Sequence, residues 1–147
     1  MSHTYVQNVL HVVFSTKNRG DVIPEDFRRK LWTYVGGICR KQGIFCHAIG
    51  GMGDHLHLLI QVPADLTVGK TVNLIKSNSS KWMKERVADF AWQEGYAAFS
   101  VSASLAPAAV RYIEQQDAHH RRMDFGAELI ALLKKHGVEY DPRFVFG

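Results

Sequence analysis

Apolar residues along this chain recur at two spacings, and the changes between them mark out its elements. From Tyr5 to Thr16 a Val-rich run predicts a first strand, closed by the turn-like Lys17-Asn18-Arg19-Gly20. Past Pro24, the residues Phe27, Leu31, Tyr34, Val35 and Ile38 return every three or four positions, which predicts a helix that Gly43 stops. Ile44 to Ile49 reads as a second strand, Gly50-Gly51-Met52-Gly53 as a hairpin turn, and His55 to Ile60 as a third strand. The glycines of that turn also permit close approach by another backbone. After Pro63 the helical period resumes from about Thr67 to Val87, with Val68, Val72, Ile75, Trp82 and Met83 on one face. A loop with aromatic anchors, Phe90 to Tyr96, leads to a fourth strand, Ala98 to Ser102. Pro107 opens a third helix reaching roughly Arg122, and Leu129, Leu132 and Leu133 mark a fourth, Phe125 to His136, before Gly137. The order of strands and helices predicts an α+β fold with an antiparallel sheet.

Composition narrows the class. The chain has 147 residues, 46% of them hydrophobic, enough for one domain over 1–147 with its own core. No apolar run is long enough to span a bilayer and the first residues lack a secretory layout, so the expectation is a cytoplasmic protein without membrane attachment. Two cysteines, Cys39 and Cys46, are too few for a disulfide framework and read as small reduced hydrophobes. The net charge of +4 favours polyanionic partners. Its distribution says more, because Lys17 and Arg19, Lys76 and Lys81, and Arg111 and Arg121 lie close in sequence to the candidate chemistry and suit phosphate contacts. Any single lysine on a helix is ordinarily just solvated.

The chemistry begins with His55-Leu56-His57. Strand side chains alternate, so the two imidazoles share one face while Leu56, Leu58 and Ile60 enter a core on the other, leaving a surface pair able to hold a divalent metal. On the third helix, an advance of about 100° per residue places Gln116 about 40° from Tyr112 and His119 about 20° away on its other side. A tyrosine hydroxyl, an amide oxygen and an imidazole are thus presented together. Such a set can run transesterification at phosphorus, with the tyrosine oxygen attacking a phosphodiester and remaining joined to one side of the break. A phenol is a weak nucleophile at neutral pH, so a cation held by His55, His57 and Gln116 would polarise the phosphate. No nucleotide cofactor is needed, since the phosphotyrosine bond conserves the energy for rejoining. Two imidazoles and an amide bring no negative charge, so such a site would draw on the substrate phosphate to complete the ligand shell.

These residues resemble the HUH single-tyrosine transposases of small insertion sequences and their REP-associated relatives. His55-Leu56-His57 is similar to the family's His-hydrophobic-His motif, Tyr112-Ile113-Glu114-Gln115-Gln116 to its tyrosine helix, and Leu10 to Arg19 to its first strand. The resemblance implies a ferredoxin-like sheet with helices on one face and a C-terminal tyrosine-bearing helix. It also implies Tyr112 as nucleophile, His55, His57 and Gln116 as ligands of Mg²⁺ or Mn²⁺, and single-stranded DNA beside hairpins as substrate. Between Gln115 and Gln116, the family spacing and the helical angle both favour Gln116. A homodimer is implied too, in which the tyrosine helix of one subunit can complete the metal site of the other. Two other readings keep part of this picture: an HUH replication or mobilisation initiator nickase, and a noncatalytic or domesticated single-stranded nucleic-acid-binding protein.

Overall fold

The computed structural model describes residues 3–120 and 123–145. Four strands form one antiparallel sheet: β1 (Val9–Ser15), β2 (Phe45–Gly51), β3 (His55–Gln61) and β4 (Ala97–Ser100), in the order β2-β3-β1-β4. With α1 (Arg28–Lys41) after β1 and α2 (Val68–Lys84) after β3, this is a ferredoxin-like βαββαβ arrangement. Three further helices follow, α3 (Ala106–Glu114), α4 (Gln116–His119) and α5 (Phe125–Lys135).

The two faces of the sheet are covered by different parts of the chain. Alternation sends Leu10, Val12 and Phe14 of β1 and Leu56, Leu58 and Ile60 of β3 to one side, where they pack with Leu31, Val35 and Ile38 of α1 and Val72, Ile75 and Met83 of α2. Fully buried Leu or Ile side chains there contribute roughly 1.5–3 kcal/mol each. On the other side, Ile113 of α3 packs against Val9, Ala48 and Leu59, and Phe125, Leu129, Leu132 and Leu133 of α5 pack against Val13 and Phe99. The last segment of the chain therefore roofs the face that carries His55 and His57.

Several predicted boundaries move, each for a local reason. The first strand begins at Val9 rather than Tyr5, because only from Val9 does the ladder to β3 exist. Pro24 precedes a single 3₁₀ turn (Glu25–Phe27), and α1 starts at Arg28. The second helix is α2, Val68–Lys84, opened by the Thr67 side chain accepting from the Lys70 amide. Gly50 and Gly51 lie in β2 opposite His57 and Leu56 rather than in the turn. Gly50 is required there by packing: a Cβ would run into the Ile113 carbonyl of α3, lying 3.0 Å from the carbonyl carbon and 3.2 Å from Cγ2. The predicted third helix is not continuous to Arg122. It ends at Glu114, Gln115 adopts φ −106°, ψ 31°, and α4 restarts at Gln116. Neither glycine nor proline marks that break.

Candidate active site

β3 brings His55 and His57 to the roofed face, and both are fully buried rather than on an open surface. The alternation predicted from sequence holds; what it could not show is that α3 and α5 close over the pair. Each imidazole is oriented by a second group. His55 Nδ1 lies 2.7 Å from Asp54 Oδ1, and His57 Nδ1 lies 2.8 Å from Nε2 of His11 on the neighbouring strand β1. That leaves both Nε2 atoms directed to a common point, the arrangement by which partners behind metal-binding histidines set the ring orientation. Asp54, immediately before β3, is thus one of the groups that aim the site.

Four more side chains, Gln116, Glu128, His120 and Tyr112, converge on the same region. Gln116 Oε1 is 2.9 Å from His55 Nε2 and 3.0 Å from His120 Nε2. Glu128, from the first turn of α5, places Oε1 2.9 Å from His57 Nε2, 3.2 Å from His120 Nε2 and 3.5 Å from His55 Nε2. Its other oxygen, Oε2, accepts the hydroxyl of Tyr112. The Tyr112 ring lies 5.8 Å from that of His57 and 6.0 Å from that of His11. A single chain thus assembles tyrosine, histidine pair, glutamine and carboxylate from β3, α3, α4 and α5. The break at Gln115 helps: it turns Gln116 inward to bury it, while Gln115 is exposed.

The electrostatics follow from burial and contact. Burial pushes the Tyr112 phenol well above its usual range, and the hydrogen bond to the Glu128 carboxylate adds to this. Burial alone would raise Glu128, but the hydrogen bonds from His57 and from the Tyr112 hydroxyl outweigh it and hold the carboxyl far below the ordinary carboxylate range. His57 is lowered by burial despite Glu128, and His11 is lowered to about 3 by burial and by His57 beside it. The donor set fits a divalent cation. His55, His57 and Glu128 each offer a ligand atom within 4.8 Å of the others, and Gln116 adds an amide oxygen. Around His55, Nδ1 faces Asp54, and Nε2 faces Gln116 Oε1 and Glu128 Oε1, so a cation held at Nε2 would meet oxygen donors from α4 and α5.

Glu128, like His11 and Asp54 behind the two imidazoles, is a residue that sequence reasoning missed. Its signal is nevertheless there: it is the one acid of α5 and sits on the apolar stripe of Phe125, Leu129 and Leu132, where a carboxylate is expensive unless partnered. The basic residues are distributed differently from the motif. Lys17, Arg19 and Arg111 are exposed, and Lys81 is exposed on α2 across the sheet from the site. Lys76 is half-buried, and its ammonium donates to the carbonyls of Gln93 (2.6 Å), Glu94 (3.2 Å) and Gly95 (2.8 Å). Arg121 lies outside the described residues, as does the side chain of His119. A groove of about 710 Å³ runs from the start of α1 past Gly50 and Gly51 to Gln116.

A ferredoxin-like sheet with a His-x-His strand facing a tyrosine helix is the architecture of the HUH single-tyrosine transposases. Residues 4–116 match the family described as "Transposase IS200 like", and the chain belongs to that family. It is 23% identical over 114 residues to the transposase for insertion sequence element IS200 of Salmonella typhimurium (strain LT2), covering 72% of this chain and 75% of that protein, and equally to the Salmonella typhi protein of the same name. Among solved structures it resembles a Deinococcus radiodurans R1 protein assigned as a transposase, with TM-score 0.63, 22% identity, and 79% and 96% of the two chains covered. It also resembles a REP-associated tyrosine transposase bound to a REP hairpin, with TM-score 0.58, 14% identity, and 95% and 74% covered. At these identities the structures speak for the fold. Among the described residues no helix is long and apolar enough to cross a membrane.

Proposed function

We propose that this chain, acting as one domain, cleaves and rejoins single-stranded DNA next to hairpins through a covalent bond to Tyr112. The observation that carries this reading is the single cluster in which the Tyr112 hydroxyl, His55 and His57 meet one carboxylate while Gln116 joins through His55. The Tyr112 oxygen forms a bond to phosphorus, the bond from phosphorus to the oxygen of the departing strand breaks, the phenolic proton leaves, and the released oxygen gains one. Rejoining runs the same exchange backwards, so no nucleotide cofactor enters. His55, His57 and Gln116 would hold Mg²⁺ or Mn²⁺, which when bound supplies charge neutralisation at the scissile phosphate. Asp54 and His11 keep the two imidazoles aimed, and the α3 and α5 roof keeps water from the cluster.

The hairpin substrate is supported by the REP-hairpin complex of a protein with the same fold. Lys17, Arg19, Lys81, Arg111 and Arg121 are the proposed phosphate contacts, with Lys76 committed to its loop instead. Homodimerisation belongs to the proposal through the family, although one chain already sets Tyr112 beside its own His57. The test is to incubate the protein with labelled single-stranded hairpin DNA from its own flanking sequence, with Mn²⁺ or EDTA. A denaturation-resistant adduct that requires metal and disappears in Tyr112→Phe, with DNA binding kept near normal, is the expected result. Retained cleavage in Tyr112→Phe would remove Tyr112 as nucleophile, and metal-independent binding without an adduct would favour the noncatalytic reading.

A further inference from the structure

We infer that Glu128, on a helix beyond the family-matched stretch, is the anionic ligand of the metal site and at the same time the group that holds the Tyr112 hydroxyl beside it. The inference rests on the metal-dependent reading above and adds a charge that the histidine and glutamine donors lack. The two carboxylate oxygens divide these roles, since Oε1 lies among Nε2 of His55, His57 and His120 while Oε2 accepts from Tyr112. The position is built for this. Asp124 caps α5 by accepting from the Ala127 amide, Phe125 stacks on the His55 ring at 4.5 Å and 21°, and Leu129 and Leu132 pin the helix to the sheet. Glu128 is buried while the other five glutamates are exposed. Oε1 faces three imidazole nitrogens, those of His55, His57 and His120, and a cation shared with the two strand histidines would complete this arrangement of one buried carboxylate against several rings.

The physical consequence separates this arrangement from a purely neutral donor set. Two imidazoles and an amide hold a hard divalent cation weakly until a phosphate supplies charge, whereas a buried carboxylate supplies it in advance. The protein should therefore bind Mn²⁺ before any DNA arrives, and binding should fix α5 and Tyr112 together. The experiment is calorimetric titration of the DNA-free protein with Mn²⁺, for the wild type, Glu128→Gln and His57→Ala. Their folding is checked by circular dichroism, and each titration is repeated with a hairpin oligonucleotide. The expected result is binding by the wild type without DNA, weakened by at least about tenfold in Glu128→Gln. A second measurement needs no variant: with ¹³C-labelled glutamate carboxyls in the wild type, Mg²⁺ should shift the resonance of the one buried glutamate. Glu128→Gln binding as tightly as the wild type, or an unmoved resonance, overturns the inference, and loss of binding in His57→Ala then leaves the metal reading standing. Wild-type binding only with DNA overturns it likewise. Absence of binding under all conditions removes the metal reading itself.

Discussion

Gly50→Ala tests whether the docking of the tyrosine helix on the sheet controls the chemistry. Gly50 pairs with His57 across β2 and β3, and its Cα faces the carbonyl of Ile113, the residue after Tyr112. An added methyl would overlap that carbonyl oxygen and lie 3.0 Å from its carbon, both backbone atoms, against ordinary contact at 3.4 Å and beyond. No side-chain rotation relieves this, so the last turn of α3 must retreat by on the order of 1 Å, since packed interiors have no void to absorb the methyl. Overpacking of this kind costs about 1–3 kcal/mol of stability. The same shift carries Tyr112 away from Glu128 and the histidines, and a misplacement of about 1 Å at reacting groups can cost on the order of 100-fold in rate. Single-turnover adduct formation on hairpin DNA, with urea unfolding to correct for any unfolded fraction, separates the two effects. Gly36→Ala is the control, because its Cβ would meet only Ile49 Cδ1 at an ordinary 3.8 Å. A Gly50→Ala protein that forms adduct at the wild-type rate would refute the claim that this backbone contact sets the working position of Tyr112.

Two further outcomes follow from the contacts and charges. Lys76→Ala should destabilise the protein by roughly 1–3 kcal/mol through three abandoned carbonyls, measured by urea denaturation, while leaving the salt dependence of DNA binding unchanged; Lys17→Ala should do the opposite, reducing the salt slope by roughly 0.7. For the metal-free protein, His11 is neutral in the fold down to about pH 3 but protonates near 6.5 when unfolded, and His57 is depressed in the same direction. The unfolded chain then binds more protons below pH 6.5, so stability should rise with pH from about 4.5 to 6.5 and level off above, by up to a few kcal/mol. Urea midpoints across that range check it, and a flat profile would contradict the buried neutral state of both rings.

Much of the candidate site is legible in the order of residues. The period-2 run around His55-Leu56-His57 is enough to put both imidazoles on one face, because alternation is a property of the extended backbone itself. The four-residue interval between Tyr112 and Gln116 likewise suggests proximity, although the reason is incomplete: the helix breaks at Gln115, and the break, stabilised by Gln116 reaching His55 and His120 rather than by any helix-breaking residue, completes the approach. Lys76 illustrates the opposite case, since nothing local distinguishes a lysine that will donate to a distant loop from one left for a phosphate.

Residue order thus dictates local features: the periods that make strands and helices, the glycines that admit a close backbone, and the residue types able to hold a cation and attack phosphorus. It took the packed fold to bury the histidines beneath α3 and α5, to set His11 of a neighbouring strand behind His57, and to stand Glu128 between the histidines and Tyr112. The difference is one of range. Periodicity and capping act over a few residues, whereas the partners of His57 lie 46 and 71 residues away in sequence and meet it only once the sheet has paired and α5 has packed its apolar stripe against that sheet.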